Sequence, residues 1–278
     1  MSTPPLTLLY APADRPDRVA KALATSADVV IVDLEDAVAP AGKEAARREA
    51  VALLAGTSRR VQVRVNQRGT PWHADDVAAV AKLPLAVGAR VPKVESADEV
   101  RGLAAALPGR DLHLLIESAL GVERAFEIAS ASPQVASVGL GEADLRSDLR
   151  VDDDGALAWV RSRLVVAARA AGLPSPSMSA YTHVKDVDGL VASCRAGRAL
   201  GFLGRTAIHP VQLDPIREAF LPSAEEVDRA REVLDRVGAA AARGVGAIAL
   251  ADGTFLDVAM VERARSVLAV AGDPQPHR

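Results

Sequence analysis

Short apolar runs rich in Val, Leu and Ile alternate along most of the chain with Ala-rich stretches in which charged residues recur at helical spacing. That order is the pattern of repeated βα units pairing into a parallel sheet. The runs predict strands at Thr7 to Tyr10, Val29 to Leu34, Val61 to Asn66, Gly88 to Pro92, Leu112 to Glu117, Ala136 to Leu140, a weak seventh near Ser177, and Phe202 to Ile208. The spacing between them predicts helices that include Arg15 to Ala24, Lys43 to Leu54, Ala74 to Lys82, Ala97 to Ala106 and Leu157 to Ala171, several opened by Ser, Asp or Pro and closed by Gly. Eight strands in this order predict an α/β fold, a (β/α)8 TIM barrel. Two further helices, Pro222 to Ala242 and Val258 to Ala271, flank a Gly-rich, hairpin-like stretch around Gly244 to Gly253 and exceed what barrel closure requires. The expected organisation is a barrel over residues 1–221 with a C-terminal helical extension over 222–278, one structural domain overall.

Composition narrows the function classes. The 278 residues are 49% hydrophobic and 25% charged, ordinary globular values. A net charge of -3 supplies no field that would gather nucleic acid or an anionic membrane. No apolar run approaches the roughly 18 residues that span a bilayer, and Met1-Ser2-Thr3-Pro4-Pro5 lacks the basic and apolar regions of a signal peptide, so a cytoplasmic protein is expected. Cys194 is the single cysteine, which excludes an intramolecular disulfide and a multi-thiolate zinc site.

Polar residues gather where the predicted strands end, the place where a parallel α/β barrel builds its active site. In Val32-Asp33-Leu34-Glu35-Asp36, period-two alternation puts Asp33 and Glu35 on one face. They form either a capping and surface cluster or a pair that needs a cation between them. In Val61 to Asn66 the same alternation turns Gln62, Arg64 and Asn66 inward, and Arg64 suits two-pronged capture of a carboxylate, or a salt bridge to Asp33 or Glu35. Glu117 ends one strand and Asp144 follows the next. Two hard oxygen ligands on adjacent strands suit Mg2+, which keeps several waters; the alternative is a pair of helix N-caps. Other motifs fail: Gly139-Leu140-Gly141 has no third glycine, Asp152-Asp153-Asp154-Gly155 lacks the alternating acids of a calcium loop, and the five histidines have no zinc spacing.

With those residues in place, the chain resembles the citrate lyase β-subunit-like proteins of the HpcH/HpaI aldolase superfamily, which include malyl-CoA and citramalyl-CoA lyases. The resemblance spans about residues 6 to 270. It rests on Pro12-Ala13-Asp14-Arg15-Pro16, Val32-Asp33-Leu34-Glu35-Asp36 with Lys43 and Arg47, Val63-Arg64-Val65-Asn66, Pro92-Lys93, Ile116-Glu117-Ser118-Ala119-Leu120-Gly121, Gly141-Glu142-Ala143-Asp144 and Ile208-His209-Pro210-Val211-Gln212. It implies a Mg2+-dependent barrel enzyme that breaks or forms a carbon–carbon bond between an acyl-CoA and an oxo acid. Glu117 and Asp144 are then the expected metal ligands, with Glu117 also facing substrate, and Arg64 holds the oxo-acid carboxylate. Arg15 and Lys21, with Tyr10, receive CoA or its acyl arm, Lys93 binds substrate or CoA, and Asp33 and Glu35 orient metal-bound water or the ligand.

Asp252-Gly253-Thr254-Phe255-Leu256-Asp257 resembles the family's Asp-Gly-x-x-x-Asp stretch, which implies that Asp257 is a general acid/base supplied to a neighbouring subunit in a homotrimer or hexamer. Departures from the family pattern fall at Val258-Ala259, where Pro is frequent, at Ala143, where Glu is frequent, and at Ser179, where several relatives carry an acid. Two other activities stay open: a divalent-metal aldolase on free pyruvate or oxaloacetate adducts without CoA, and a citrate lyase β-like subunit active only with an acyl-carrier partner.

Overall fold

The strands run as β1 (Thr7–Pro12), β2 (Val29–Asp33), β3 (Val61–Arg64), β4 (Val87–Val91), β5 (Leu112–Ile116), β6 (Val135–Leu140) and β7 (Arg205–Ala207), in a computed structural model that describes residues 4–241, 248–249, 255–256 and 258–272. They form a seven-stranded sheet in the order β6-β5-β4-β3-β2-β1-β7, and every neighbouring pair is parallel. All five residues of β2 are buried, as expected of a strand covered on both faces. The helices are α1 (Pro16–Leu23), α2 (Lys43–Leu54), α3 (His73–Ala81), α4 (Ala97–Ala106), α5 (Ala119–Glu123), α6 (Ala125–Ala129), α7 (Glu142–Leu149), α8 (Ala158–Ala170), α9 (Val187–Ala199) and α10 (Leu213–Phe220). Local chemistry sets several starts: Pro16 opens α1, and the Ser96 and Ser118 side chains accept the backbone N–H groups of Glu99 and Gly121.

The stretch near Ser177 does not form an eighth strand. Met178 makes an isolated parallel bridge to Arg205, and Ser179 Oγ donates to the Leu140 carbonyl at 2.7 Å. Pro174 and Pro176 lack N–H donors, which limits ladder pairing here to a single bridge. The last strand is also shorter than its apolar run. Gly204 has φ +79°, and a Cβ there would lie 2.6 Å from the Leu6 carbonyl oxygen, so β7 begins against backbone that only glycine can approach.

The chain divides into two units, Pro5–Phe220 and the residues from Leu221 onward together with Pro4. In the first, strand residues such as Val30, Val63, Ala89 and Leu114 are buried with helix residues such as Val19, Leu54, Leu103 and Ile216. Asp28, just before β2, ties the unit's ends together. Its Oδ2 accepts the backbone N–H groups of Leu6 and Thr7, and Arg217 of α10 donates to its Oδ1 at 2.8 Å. Burial opposes ionisation of Asp28, but the hydrogen bonds from Arg217 and Thr7 outweigh it and hold the carboxyl below its usual range.

In the second unit, α11 (Ala224–Ala241) and α12 (Val258–Ala271) bury Ala230, Val233, Ala264 and Leu268, packed by Val227, Leu234, Val237 and Val267. Ile248–Ala249 (β8) pairs antiparallel with Phe255–Leu256 (β9). Among the described residues no helix is long and apolar enough to cross a membrane.

Candidate active site

In the parallel sheet Pro12, Asp33, Arg64 and Arg90 are successive register partners near the carboxyl ends of β1 to β4. Residues opposite one another in a parallel ladder point to the same face, so the strands place Asp33 beside Arg64 before any loop contributes. Arg64 grips Asp33 with two prongs, Nε to Oδ1 at 2.7 Å and Nη2 to Oδ2 at 2.6 Å. Its Nη1 lies 2.9 Å from Glu35 Oε2 and donates to Asp36 Oδ2 at 3.1 Å. Desolvation disfavours the Arg64 charge, yet the hydrogen bonds to Asp33 and the surrounding acids raise its pKa above the ordinary value. The predicted salt bridge to the β2 acids is therefore present with both Asp33 and Glu35. The ring of Tyr10 lies against this guanidinium, 5.1 Å from Arg64 Cζ.

Glu117 follows β5 and Asp144 sits in the first turn of α7, after the neighbouring β6. Glu117 is 4% exposed, and its Oε2 accepts the Lys93 backbone N–H at 3.1 Å. Burial, with Glu35 and Asp144 nearby, pushes its carboxyl up to about 7. A Cβ on Gly141 would lie 2.1 Å from Glu117 Oε1, so the glycine between β6 and α7 makes room for this acid.

Lys93 completes the cluster, its Nζ 3.1 Å from Glu35 Oε1 and 3.4 Å from Asp144 Oδ1. Desolvation opposes its charge, but Glu35 outweighs that and raises its pKa. Glu35 is itself pushed up, by burial first, against the pull of Arg64.

Behind these side chains stands a buried brace. Lys43 Nζ donates to the carbonyls of Leu34 at 2.8 Å and Glu35 at 2.6 Å, and to Asn66 Oδ1 at 2.6 Å. Asn66 Nδ2 donates to Asp76 Oδ2, and Arg47 Nε pairs with Asp76 Oδ1, both at 2.6 Å. This holds the turn that carries Glu35.

Asp33, Glu35, Arg64, Lys93, Glu117, Asp144 and Tyr10 are thus brought together. Arg15 and Lys21 are exposed at α1, where Arg15 pairs with Asp17 at 3.1 Å. Asp257 lies outside the described residues. Arg90 is a buried residue that the strand-end reading did not single out. It donates to Tyr10 Oη at 3.2 Å and Gln62 Oε1 at 3.0 Å. The alternation Ala89-Arg90-Val91 carried the signal, since it turns Arg90 to the face shared by Gln62 and Arg64.

The cluster fits a divalent cation. Glu35 Oε2 is buried with only the Arg64 ion pair as a partner, burial beside Glu35 and Asp144 pushes Glu117 up to about 7, and one ammonium is shared between two carboxylates. Among the described residues no three His, Cys, Asp or Glu side chains form a ready cage. Two carboxylates completed by water and substrate oxygens are the usual holding of Mg2+.

Acids and a guanidinium at the carboxyl ends of a parallel α/β sheet make a polar site where such folds bind their ligands, suited to a small anion and a cation. The chain belongs to the HpcH/HpaI aldolase/citrate lyase family, whose pattern matches residues 6–210, and it is a lyase by class. It is 38% identical over 271 residues to a (3S)-malyl-CoA thioesterase of Cereibacter sphaeroides, covering 95% of this chain and 94% of that protein. It is 32% identical over 282 residues to the citrate lyase subunit beta of Leuconostoc mesenteroides, covering 95% and 92%. Among solved structures it is similar to CitE of Mycobacterium tuberculosis in complex with magnesium, acetoacetate and coenzyme A, with a TM-score of 0.81, 36% identity, and 98% and 99% of the two chains covered.

Proposed function

We propose that this chain is a Mg2+-dependent carbon–carbon lyase that splits a 3-hydroxyacyl-CoA ester into an oxo acid and an acyl-CoA, or joins them, in the manner of malyl-CoA and citramalyl-CoA lyases. The observation that carries the reading is the gathering of Glu35, Glu117 and Asp144 around Lys93, the first and last on its ammonium and Glu117 on its backbone N–H, with Arg64 on Glu35. The complex of the CitE neighbour with magnesium, acetoacetate and coenzyme A supports it.

Glu117 and Asp144 would hold the ion, and Arg64 would meet the carboxylate of the oxo-acid portion with Nη1, which here faces Glu35 and Asp36, while Nε and Nη2 stay on Asp33. Magnesium supplies Lewis acidity that lowers the energy of the negative charge developing on the substrate's oxygens. Asp33 and Glu35 orient water and substrate, Arg15, Lys21 and Tyr10 face the CoA ester, and Lys93 faces the substrate from beside Glu35 and Asp144. A base takes the proton from the 3-hydroxyl, the oxygen's electron pair forms the carbonyl of the oxo acid, and the carbon–carbon bond opens to leave an acyl-CoA enolate. Asp257 of a neighbouring subunit returns a proton to the enolate carbon. This assigns residues 222–278 to a helical extension that serves the next copy in a homotrimer or hexamer, and residues 1–221 to a barrel whose eighth position is filled by the irregular stretch at Met178–Ser179. The Met178 bridge to β7 and the Ser179 bond to Leu140 support the closure of that barrel.

A second reading, thioester hydrolysis, is favoured by the (3S)-malyl-CoA thioesterase relative. Incubating the purified chain with Mg2+ and a panel that includes malyl-CoA and citramalyl-CoA separates the two. Release of oxo acid and acyl-CoA without free thiol supports the lyase, while free CoA and an intact hydroxy acid support hydrolysis. Cleavage of free oxo-acid adducts alone would identify an aldolase that does not use CoA. Activity only after addition of an acyl-carrier partner would identify a complex-bound subunit.

A further inference from the structure

Lys93 contacts three of the four acids of the cluster. Its backbone N–H donates to Glu117 Oε2 at 3.1 Å, and its ammonium lies 3.1 Å from Glu35 Oε1 and 3.4 Å from Asp144 Oδ1. It holds this position in the left-handed region, with φ 52°, where non-glycine residues are uncommon. Only Lys93 and Arg150 have positive φ among the described non-glycine residues. The ammonium therefore stands on Asp144, one of the two carboxylates assigned to the ion. Two cations cannot share that carboxylate without repelling each other. One of the partners is free to yield, because the Asp144 side chain is 41% exposed and that of Lys93 24%, and lysine carries its charge on a flexible four-carbon stem. Glu35, at 7%, is the fixed partner.

We propose that Lys93 is an exchangeable counter-cation. Its ammonium neutralises Glu35 and Asp144 until a divalent ion arrives, gives up Asp144 to that ion, and then meets the carboxylate of the oxo acid, so that metal and oxo acid bind cooperatively. This rests on the metal-site reading above and adds to it a coupling between two ligands that runs through one side chain. Coupling of this kind is reciprocal, so the oxo acid tightens the metal by the factor by which the metal tightens the oxo acid.

The test is calorimetric titration of the full chain with Mg2+, alone and in the presence of pyruvate, which needs no turnover. In the natural protein pyruvate tightens Mg2+. Lys93→Met binds Mg2+ alone about tenfold or more tightly, and the gain from pyruvate falls by a comparable factor. Lys93→Arg, which restores the charge, restores both the weaker metal affinity and the gain. A merely structural Lys93 predicts the opposite sign, since loosening the segment that donates to Glu117 weakens the ion. Unchanged or weaker Mg2+ binding in Lys93→Met, or an undiminished pyruvate gain, overturns the proposal. If Lys93→Met fails to fold, Lys93→Gln carries the same expectation. Asp144→Asn separates the two levels of the argument: full Mg2+ binding in that variant refutes the metal site itself, whereas its loss alongside an unaltered Lys93→Met refutes only the exchange.

Discussion

The charge on Glu117 sets the stability of the metal-free protein against its ability to hold an ion, and Glu117→Gln separates the two. The carboxyl goes from an ordinary value of 4.5 to about 7 in the folded chain because it is buried beside Glu35 and Asp144. A group whose folded pKa is raised binds more protons folded than unfolded, so its contribution is fully present below 4.5 and is lost as pH rises through about 7. At about 1.4 kcal/mol per pKa unit, the metal-free protein loses on the order of 3 kcal/mol across that window. Glutamine keeps the shape and the acceptor for the Lys93 N–H but takes no charge. In EDTA at pH 8 the variant is therefore more stable than the natural chain by up to about 3 kcal/mol, or roughly 5–10 °C in unfolding midpoint. Denaturant unfolding from pH 5 to 8 measures it, with a residual slope of the same sign left by Glu35, whose pKa is also raised by burial. Saturating Mg2+ at a hundred times its Kd returns about 2.7 kcal/mol to the natural chain and nothing to the variant. Identical pH slopes in the two proteins would refute the argument.

Other outcomes follow from the same geometry. Gly141→Ala places a methyl where Glu117 now sits, so the fold persists while Mg2+ affinity drops by at least about tenfold; far-UV circular dichroism and metal titration together check it. Asp28→Ala strands the N–H groups of Leu6 and Thr7 and the Arg217 guanidinium, and denaturant unfolding at pH 7 should show a loss of roughly 2–4 kcal/mol. Because the Asp28 carboxyl is held below its ordinary value of 3.8, its contribution is present above that pH and fades as pH falls below it. If Asp257 serves a neighbouring subunit, co-expressing Asp257→Asn with Arg64→Ala restores activity to about a quarter of the sites, since random mixing in a ring leaves that share with both groups intact. Either variant alone stays inactive, and co-expression without rescue places Asp257 in its own subunit's site or outside the reaction.

Much of the cluster was legible because strand periodicity is two. Asp33 and Glu35 alternate with Val32 and Leu34, and Arg64 alternates with Val63 and Val65, so a common face could be inferred without knowing the sheet order. Glu117 and Asp144 were legible as acids that close apolar runs. The role of Lys93 was not, because neither a left-handed backbone angle nor the reach of a long side chain across two loops is written in periodicity. Arg90 is less legible because an arginine one residue before the end of an apolar strand reads equally as an inward or a surface side chain until the register with Arg64 is known. The weak seventh strand shows the limit from the other side: Met178 is placed next to β7, but the prolines before it restrict pairing to one bridge. Nothing in the periodicity sets Arg15 and Lys21 apart from other surface cations, and both are exposed, one capping α1 and the other in its last turn.

The most direct measurement is a crystal structure of the full chain grown with Mg2+ and pyruvate. One ion between Glu117 and Asp144, with the pyruvate carboxylate facing Arg64, is the predicted result. An ion bound elsewhere, or both carboxylates turned away from an empty centre at saturating magnesium, would contradict it.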